Sequence, residues 1–346
     1  MTELLCVGNP IVDVFIEIEE SLAIRYGITE PAQHISRDQA EALSSEPLVD
    51  FSGAVKRAGG CAANTAKIAA TLGMKTSFAG CIGNDAFASI FEKEMAEAGV
   101  SSLISRGNEK TGVCFVCDVG GLPRLAACPG AALELRESHI SDELVSGAEV
   151  VVIDGYLMDR RPLVQSVLLS ASRRGIPAVL DAASVFQVKS KAEDILTYSR
   201  SFPLIVFMNA DEAIAFLNTV RKSRDEEIPK SEKEKESVIL RDVCPMLRII
   251  TEGEIFPIFV VKLGSRGALV VAGGNVYREE TFSIIARDTT GAGDAFCAAF
   301  IAAWIRGKSL SDCASLGNKV AREFLKARGT RIKGGKLKSF VKTLKK

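Results

Sequence analysis

Short apolar runs alternate with amphipathic segments along most of this chain. The runs at residues 4–7, 150–153, 178–180, 204–208 and 258–263 are apolar at nearly every position, which is typical of strands buried on both faces. Residues 161–173 repeat apolar positions at helical spacing before the third of these runs. Buried strands that alternate with helices predict an α/β fold with a parallel sheet covered on both faces.

Other segments carry a different pattern. Residues 112–119 and 125–128 flank Gly120-Gly121, a combination that predicts a β-hairpin. Residues 221–236 form a mixed charge run of low hydrophobicity, which predicts a mobile insertion without chemistry. The basic tail at 331–346 predicts a solvated helix.

Composition and charge exclude several classes of protein. The chain has 346 residues, enough for one large domain and a smaller piece. It carries 43 Lys and Arg against 43 Asp and Glu, so no global field attracts nucleic acid or a membrane. No basic region precedes the first apolar run, and no apolar stretch reaches the length of a membrane span. We therefore expect a cytoplasmic protein with neither nucleic acid nor membrane as a partner.

The nine cysteines do not form a disulfide framework or a metal motif. Cys114 and Cys117 have CxxC spacing, but residues three apart in a strand point to opposite faces. With only His34 and His139 in the chain, a zinc site is not expected. Reduced thiols in the cytoplasm explain the pattern most simply.

A glycine-rich turn with the sequence DTTGAGDAF, at residues 288–296, follows a strand-like run at 281–285 and precedes an Ala-rich helix. The N–H groups at a helix start bind anions, and Asp294 adds a carboxylate beside them. This carboxylate either stabilises the helix start or takes the proton from a hydroxyl that attacks a phosphoryl group. The GxxxxGK[ST] loop and the third glycine of a dinucleotide fingerprint are missing, which disfavours a dinucleotide oxidoreductase.

Three other groups of residues have a structural and a functional interpretation. Gly59-Gly60 with Asn64 one helical turn later forms either a tight packing loop or a platform for hydroxyl groups. Asp13, between two valines, points to solvent or lines a polar site. Asn209 and Glu212 follow a buried strand, as a helix cap and its partner or as part of a ligand site.

The turn at 288–296 resembles the C-terminal signature of the PfkB (ribokinase-like) family of sugar and nucleoside kinases. The resemblance extends over residues 1–330 and is weakest between 187 and 256. It implies a ribokinase-like three-layer sandwich, with a mostly parallel sheet between helices, and a small β-sheet lid. We expect the large domain at 1–13, 52–105 and 134–346 and the lid at 14–51 and 106–133. ATP and Mg²⁺ are the implied cofactors.

The same resemblance implies a role for each matching residue. Asp294 is the expected catalytic base, with Arg124 of the lid reaching the transferring phosphate; the expected anion hole comprises Gly291, Ala292 and Gly293. The expected acceptor-binding residues are Asn9, Asp13, Gly59, Gly60, Asn64 and Phe186, the last suited to an aromatic base. ATP binding is expected at Asn209, Lys262, Gly264, Gly267 and Asn318, and Mg²⁺ binding, largely through water, at Glu212 and Asn209.

Within the family, the sequence is more similar to adenosine kinases. The opening at residues 8–13 and the segments at 111–114 and 124–127 carry this similarity. It implies transfer of the γ-phosphoryl group of MgATP to a primary hydroxyl, the 5′-hydroxyl of adenosine or a related nucleoside. A ribokinase- or fructokinase-like carbohydrate kinase is the alternative, and a non-catalytic nucleotide-binding regulator is the alternative from another class. The expected assembly is a monomer or homodimer.

Overall fold

A computed structural model describes residues 2–222, 227–282, 284, 291–326, 340 and 344. Two sheets organise these residues. The larger has nine strands in the order β14-β13-β12-β11-β10-β9-β1-β5-β6. Its strands are β1 Thr2–Val7, β5 Thr76–Ile82, β6 Ser101–Arg106, β9 Ala148–Asp154, β10 Ala178–Asp181, β11 Leu204–Asn209, β12 Ile258–Lys262, β13 Ala268–Ala272 and β14 Asn275–Glu279. Pairing from β6 to β12 is parallel, and β13 and β14 continue the sheet antiparallel.

Helices cover both faces of the larger sheet. Their bounds are α1 Glu20–Arg25, α2 Arg37–Ser44, α3 Cys61–Thr71, α4 Ala86–Glu97, α5 Asp142–Ser146, α6 Arg161–Ser172, α7 Val185–Ser201, α8 Ala210–Val220, α9 Glu232–Val238, α10 Cys244–Thr251, α11 Ala292–Trp304 and α12 Leu310–Leu325. Leu4 and Cys6 of β1 pack into one core with α3, α11 and α12, whereas Leu5 and Val7 pack into a second core with α6, α7 and α8. This alternation of one strand between two cores confirms the predicted three-layer sandwich.

The smaller sheet has five strands in the order β3-β8-β7-β2-β4. Their bounds are β2 Ile11–Glu17, β3 Ala32–His34, β4 Val55–Gly59, β7 Gly112–Val119 and β8 Leu122–Cys128. The predicted hairpin is confirmed by the antiparallel pairing of β7 with β8. Cys114 pairs with Asp13 and Cys117 with Ile16, so the two thiols lie on opposite faces, as the spacing predicts. All nine cysteines are free.

Some boundaries differ from those expected. β4 belongs to the smaller sheet, although its residues fall in the range expected for the large domain; the domain division itself stays a prediction. Within the charged segment, residues 223–226 lie outside the described residues, and α9 forms part of the remainder. The strand-like run is expected at 281–285. β14 instead ends at Glu279, and Thr281 and Phe282 lie outside any strand.

In the described part of the chain, every helix is too short or too polar to cross a membrane. Apart from residues 340 and 344, the basic tail lies outside the description.

Candidate active site

The carboxyl ends of four neighbouring strands form one edge of the larger sheet. β9 ends at Asp154, β10 at Asp181, β11 at Asn209 and β12 at Lys262. Asp181 is in register with Asp154, and Asn209 with Lys262. Ligands of open α/β sheets bind beyond this edge, so the topology gathers two carboxylates, an amide and an ammonium in one place.

Asp294 lies in the first turn of α11, above this edge. Gly291 precedes the helix with φ +80°, a left-handed conformation that favours glycine. The Asp294 side chain is buried, and this burial, followed by the charge of Asp181, raises its pKa to about 7 despite Asn64 and Lys262, which lower it. A carboxylate with this pKa beside the unpaired N–H groups of a helix start can accept a proton near neutral pH.

Asn64 joins the two glycine-rich turns. It lies in the first turns of α3, and its Nδ2 donates a hydrogen bond to Oδ2 of Asp294 over 3.0 Å. Its Oδ1 is buried and accepts no hydrogen bond from the residues described. Since buried polar atoms are normally paired, this oxygen is available to a hydroxyl group of a ligand.

Gly59 and Gly60 allow contacts that a side chain would block. A Cβ atom on Gly59 would lie 2.2 Å from Oδ2 of Asp13, and one on Gly60 would lie 2.2 Å from the carbonyl oxygen of Asn9. Gly60 also has φ +95°, which disfavours other residues. Asp13 is buried on β2. The structure therefore brings Asn9, Asp13 and both glycines together beside Asn64.

Asn9 is held by two residues that sequence reasoning missed. Nη2 of Arg160 donates to Oδ1 of Asn9 over 2.5 Å, and the backbone N–H of Asn9 donates to the carboxylate of Asp154. Burial raises the pKa of Asp154 to about 6. The signal for Asp154 was its position at the end of a buried strand; Arg160 had no comparable signal.

Two aromatic side chains were also missed. Tyr156, just after β9, lies with its ring centroid 6.0 Å from that of His34 on β3 of the smaller sheet. His34 pairs with Ala127, Ala127 with Cys114, and Cys114 with Asp13. Because paired residues share a face of a sheet, His34 lies on the same face as Asp13. The aromatic contact of Tyr156 with His34 thus lies on the side of the smaller sheet that carries Asp13.

Asn209 and Glu212 form a capping box at the start of α8. Oδ1 of Asn209 accepts from the backbone N–H of Glu212 over 2.9 Å, while the Glu212 carboxylate accepts from the backbone N–H and Nδ2 of Asn209, each over 2.7 Å. The pair therefore forms the helix cap that one of the two interpretations predicts. Burial raises the pKa of Glu212 against the opposing charge of Lys262.

No three His, Cys, Asp or Glu side chains among the described residues cluster as direct metal ligands. The capping box suits a hydrated cation rather than a directly bound one, because each oxygen of the Glu212 carboxylate already accepts one hydrogen bond from Asn209 and keeps capacity to accept another from water. These residues fit Mg²⁺ held through water.

The expected nucleotide loop is braced from two sides. Gly267 has φ +90°, and a Cβ atom there would lie 2.0 Å from the carbonyl oxygen of Glu279. Nδ2 of Asn318 donates to that same carbonyl over 3.1 Å. A Cβ atom on Gly264 would meet the Glu232 carboxylate at 2.8 Å, so the loop is tightly packed between α9 and α12.

Arg124 lies apart from this cluster, and Phe186 is exposed beyond the end of β10. Arg124 pairs with Cys117, so it occupies the face of the smaller sheet opposite Asp13, where its guanidinium donates to Glu20 and to the carbonyl oxygen of Ile28. Phe186 is 77% exposed on the first turn of α7. The roles expected for both residues stay predictions, and the hydrogen bonds of Arg124 do not support its role at the phosphate. Residues 288–290 of the glycine-rich turn lie outside the description.

The larger sheet carries a buried carboxylate at a helix start beyond its carboxyl edge, and the smaller sheet lies beside it. Together these features define a phosphotransferase of the ribokinase-like fold. The pfkB family carbohydrate kinases match residues 25–334. The chain belongs to this family and is a kinase.

Similar proteins cover almost the whole chain. The adenosine kinase of Schizophyllum commune is 26% identical over 97% of this chain and 98% of its own length. The solved adenosine kinase of Sinorhizobium meliloti has a TM-score of 0.81 and 25% identity, with 99% of each chain covered. A probable sugar kinase from Rhizobium etli has a TM-score of 0.80 and 26% identity, again with 99% of each chain covered.

Proposed function

We propose that the protein transfers the γ-phosphoryl group of MgATP to the 5′-hydroxyl of adenosine or a closely related nucleoside. The observation that carries this proposal is the buried pair formed by Asp294 and Asn64, whose side chains meet at 3.0 Å. This pair connects the anion-binding start of α11 with the platform for hydroxyl groups at α3. A phosphoryl acceptor must contact both elements during transfer.

Asp294 acts as the general base. With a pKa near 7, its carboxylate removes the hydroxyl proton as the oxygen attacks phosphorus. The backbone N–H groups of residues 292–294 and the dipole of α11 stabilise the charge on the transferring group.

The acceptor is held by its hydroxyl groups. Asp13 and Asn64 supply acceptor atoms, and Gly59 and Gly60 let the backbone approach them closely. These contacts place the 5′-hydroxyl in line with the phosphoryl group. We further propose that the smaller sheet acts as a lid that excludes water, so that ATP is not simply hydrolysed.

The purine base is proposed to stack beside Tyr156 and His34. Tyr156 follows β9 of the larger sheet, and its ring contacts that of His34 on β3 at a tilt of 46°; an aromatic base can stack on such rings. The similarity to adenosine kinases over nearly the whole chain supports the same acceptor class. Phe186, at 77% exposure, is the alternative partner for the base.

Mg²⁺ is proposed at the side of Asn209 and Glu212. When bound, the ion would neutralise phosphate charge and orient the triphosphate. Glu212 would hold water that coordinates the ion, while its capping box with Asn209 fixes the position of the carboxylate.

A carbohydrate kinase is the second candidate. It is favoured by the similarity to the probable sugar kinase of Rhizobium etli.

The test is ADP release with MgATP across adenosine, inosine, guanosine, cytidine, ribose, fructose and fructose 6-phosphate. Turnover with adenosine at low concentration is the expected result. Turnover with a free sugar alone would keep the mechanism and replace the acceptor. If no compound reacts, thermal shifts with the same panel would distinguish an untested acceptor from a binding protein without catalysis.

A further inference from the structure

Lys262 is a half-buried cation at the carboxyl edge of the larger sheet. It ends β12, and its Nζ lies 3.2 Å from Oδ2 of Asp181, at the end of β10. The two side chains therefore meet across the end of β11, which lies between their strands. Burial lowers the pKa of Lys262, but Asp181, Glu212 and Asp294 raise it and prevail. The lysine is held as an ammonium ion.

The ammonium has hydrogen-bonding capacity beyond this ion pair. An ammonium group has three N–H donors, and within the described part of the chain Lys262 donates only to Asp181. A buried charge is stable when it is paired and hydrogen-bonded. Two donors are thus available to an anionic ligand.

The location of Nζ indicates which part of a ligand it meets. A Cβ atom placed on Gly293 would lie 3.3 Å from Nζ of Lys262, so the ammonium lies against the first turn of α11. The N–H groups of this turn hold the phosphoryl group in the proposed function. Lys262 therefore approaches that group rather than the acceptor ring or the base.

Arg124, the residue of the smaller sheet expected at the phosphate, does not supply an equivalent charge. Arg124 lies on the other face of the smaller sheet and is paired with Glu20. Three carboxylates, Asp181, Glu212 and Asp294, lie close enough to Lys262 to raise its pKa. Without a cation, they would repel the negative charge that spreads over the transferring group.

We propose that Lys262, oriented by Asp181, donates hydrogen bonds to the phosphoryl group during transfer and is a catalytic residue of this kinase. The proposal rests on the proposed function. Asp181 is a positioning residue, since it acts through Lys262.

The first test compares Lys262→Met, Lys262→Arg and Lys191→Met in ADP release with adenosine and MgATP. Lys191 is a matched control, because it is paired with Asp159 at 3.0 Å and its side chain is 22% exposed against 16% for Lys262. We expect Lys262→Met to lower kcat by about 10²–10³-fold, the usual cost of losing a donor to developing charge, with less than a threefold change in KM for adenosine. Lys262→Arg should recover part of kcat, and Lys191→Met should match the wild type.

A second measurement does not depend on turnover. The transition-state mimic formed by MgADP, aluminium fluoride and adenosine should bind Lys262→Met at least about 100-fold more weakly, while MgADP alone binds within threefold of the wild type. Equal weakening of both would show that the lysine only supports the fold or binds the nucleotide, and would overturn the proposal.

The role of Asp181 as a positioning residue is tested by the pH dependence of kcat/KM. The charges that bear on Asp294 include Asp181 on β10, Asp154 on β9, Lys262 on β12 and Lys67 on α3, and Asn64 of α3 donates to it. Asp181→Asn should lower kcat and move the acidic limb of the profile to lower pH, whereas Lys262→Met should move it to higher pH. A loss of activity with no movement of either limb would contradict the assignment.

The outcomes separate the two proposals. An inactive wild type across the acceptor panel would refute the proposed function. An active wild type with a normal kcat in Lys262→Met, or a larger loss in Arg124→Met than in Lys262→Met, would refute the role of Lys262 alone.

Discussion

Replacing Asp294 with Asn should lower activity and raise stability in the same protein. The carboxylate is 9% exposed, and its pKa is raised from 3.8 to about 7. The folded protein therefore holds a proton that the unfolded chain releases between these two values. Stability falls as the pH rises through this window, and the loss is complete above the folded pKa. Asn is neutral at every pH and does not suffer the loss.

The size of the effect follows from the pKa difference. Each pKa unit corresponds to about 1.4 kcal/mol, so a shift of roughly three units costs the wild type about 4 kcal/mol above pH 7. Oδ1 of an Asn at position 294 can still accept from Asn64, so the buried contact survives. We compare the gain in free energy of unfolding of Asp294→Asn over the wild type at two pH values. This gain should be about 3 kcal/mol larger near pH 8 than near pH 5. Turnover should fall by about 10²–10⁴-fold.

Urea unfolding at the two pH values, with ADP release measured on the same preparations, tests this prediction. Asp312→Asn is the matched control, because Asp312 occupies the same position in the first turn of α12 but is exposed. It should keep its turnover and lose about 0.3–1 kcal/mol of stability at both pH values.

Two results would refute the reasoning. If Asp294→Asn keeps normal turnover, Asp294 is not the base. If the mutant is destabilised equally at both pH values, the carboxylate is not buried with a raised pKa, and the site has a different electrostatic structure.

Three more substitutions test the two sides of the site. Asp13→Ala should raise KM for the acceptor and leave KM for ATP nearly unchanged, and an effect on ATP alone would exclude Asp13 as an acceptor ligand. Gly59→Ala should act like Asp13→Ala, because the new Cβ would lie 2.2 Å from Oδ2 of Asp13. The control Gly147→Ala, whose nearest contact would be 3.4 Å, should leave KM for the acceptor unchanged. Equal KM values for the two glycine variants would contradict this. Glu236→Ala should raise KM for ATP and cost about 1–3 kcal/mol, since the buried Glu236 pairs with Arg266 of the nucleotide loop; an unchanged KM would show that the loop is held without it.

The fold was predictable where one physical signal dominates. β1 and β11 are continuous apolar runs, and the alternation of their side chains between two cores follows from strand geometry. α11 could be placed because a glycine turn precedes a long Ala-rich apolar segment.

The sequence pattern failed where distant partners decide the structure. Residues 221–236 have the composition of a solvated insertion, yet Glu236 is buried against Arg266 and Arg278, which lie far along the chain. These ion pairs stabilise α9 beside the nucleotide loop. A single sequence does not show pairings at this separation.

The role expected for Arg124 depended on strand register. In a sheet, a shift of one residue moves a side chain to the opposite face. Arg124 is opposite Cys117 rather than Cys114, and this places its guanidinium away from Asp13. By contrast, the structure brings Asp13, Asn64 and Asp294 together, because each lies beside a glycine turn or a strand end that the topology places at one edge. Their roles stay predictions.

The most direct test of the central claim is a competition between acceptors with identification of the product. The wild type is incubated with MgATP and equal concentrations of adenosine and ribose, and Asp294→Asn serves as the blank. We predict AMP and ADP in equal amounts, little ribose phosphate, and almost no product from the mutant. Ribose phosphate as the main product would contradict the nucleoside acceptor, and ADP formed with inorganic phosphate in place of AMP would contradict transfer to a hydroxyl group of either compound.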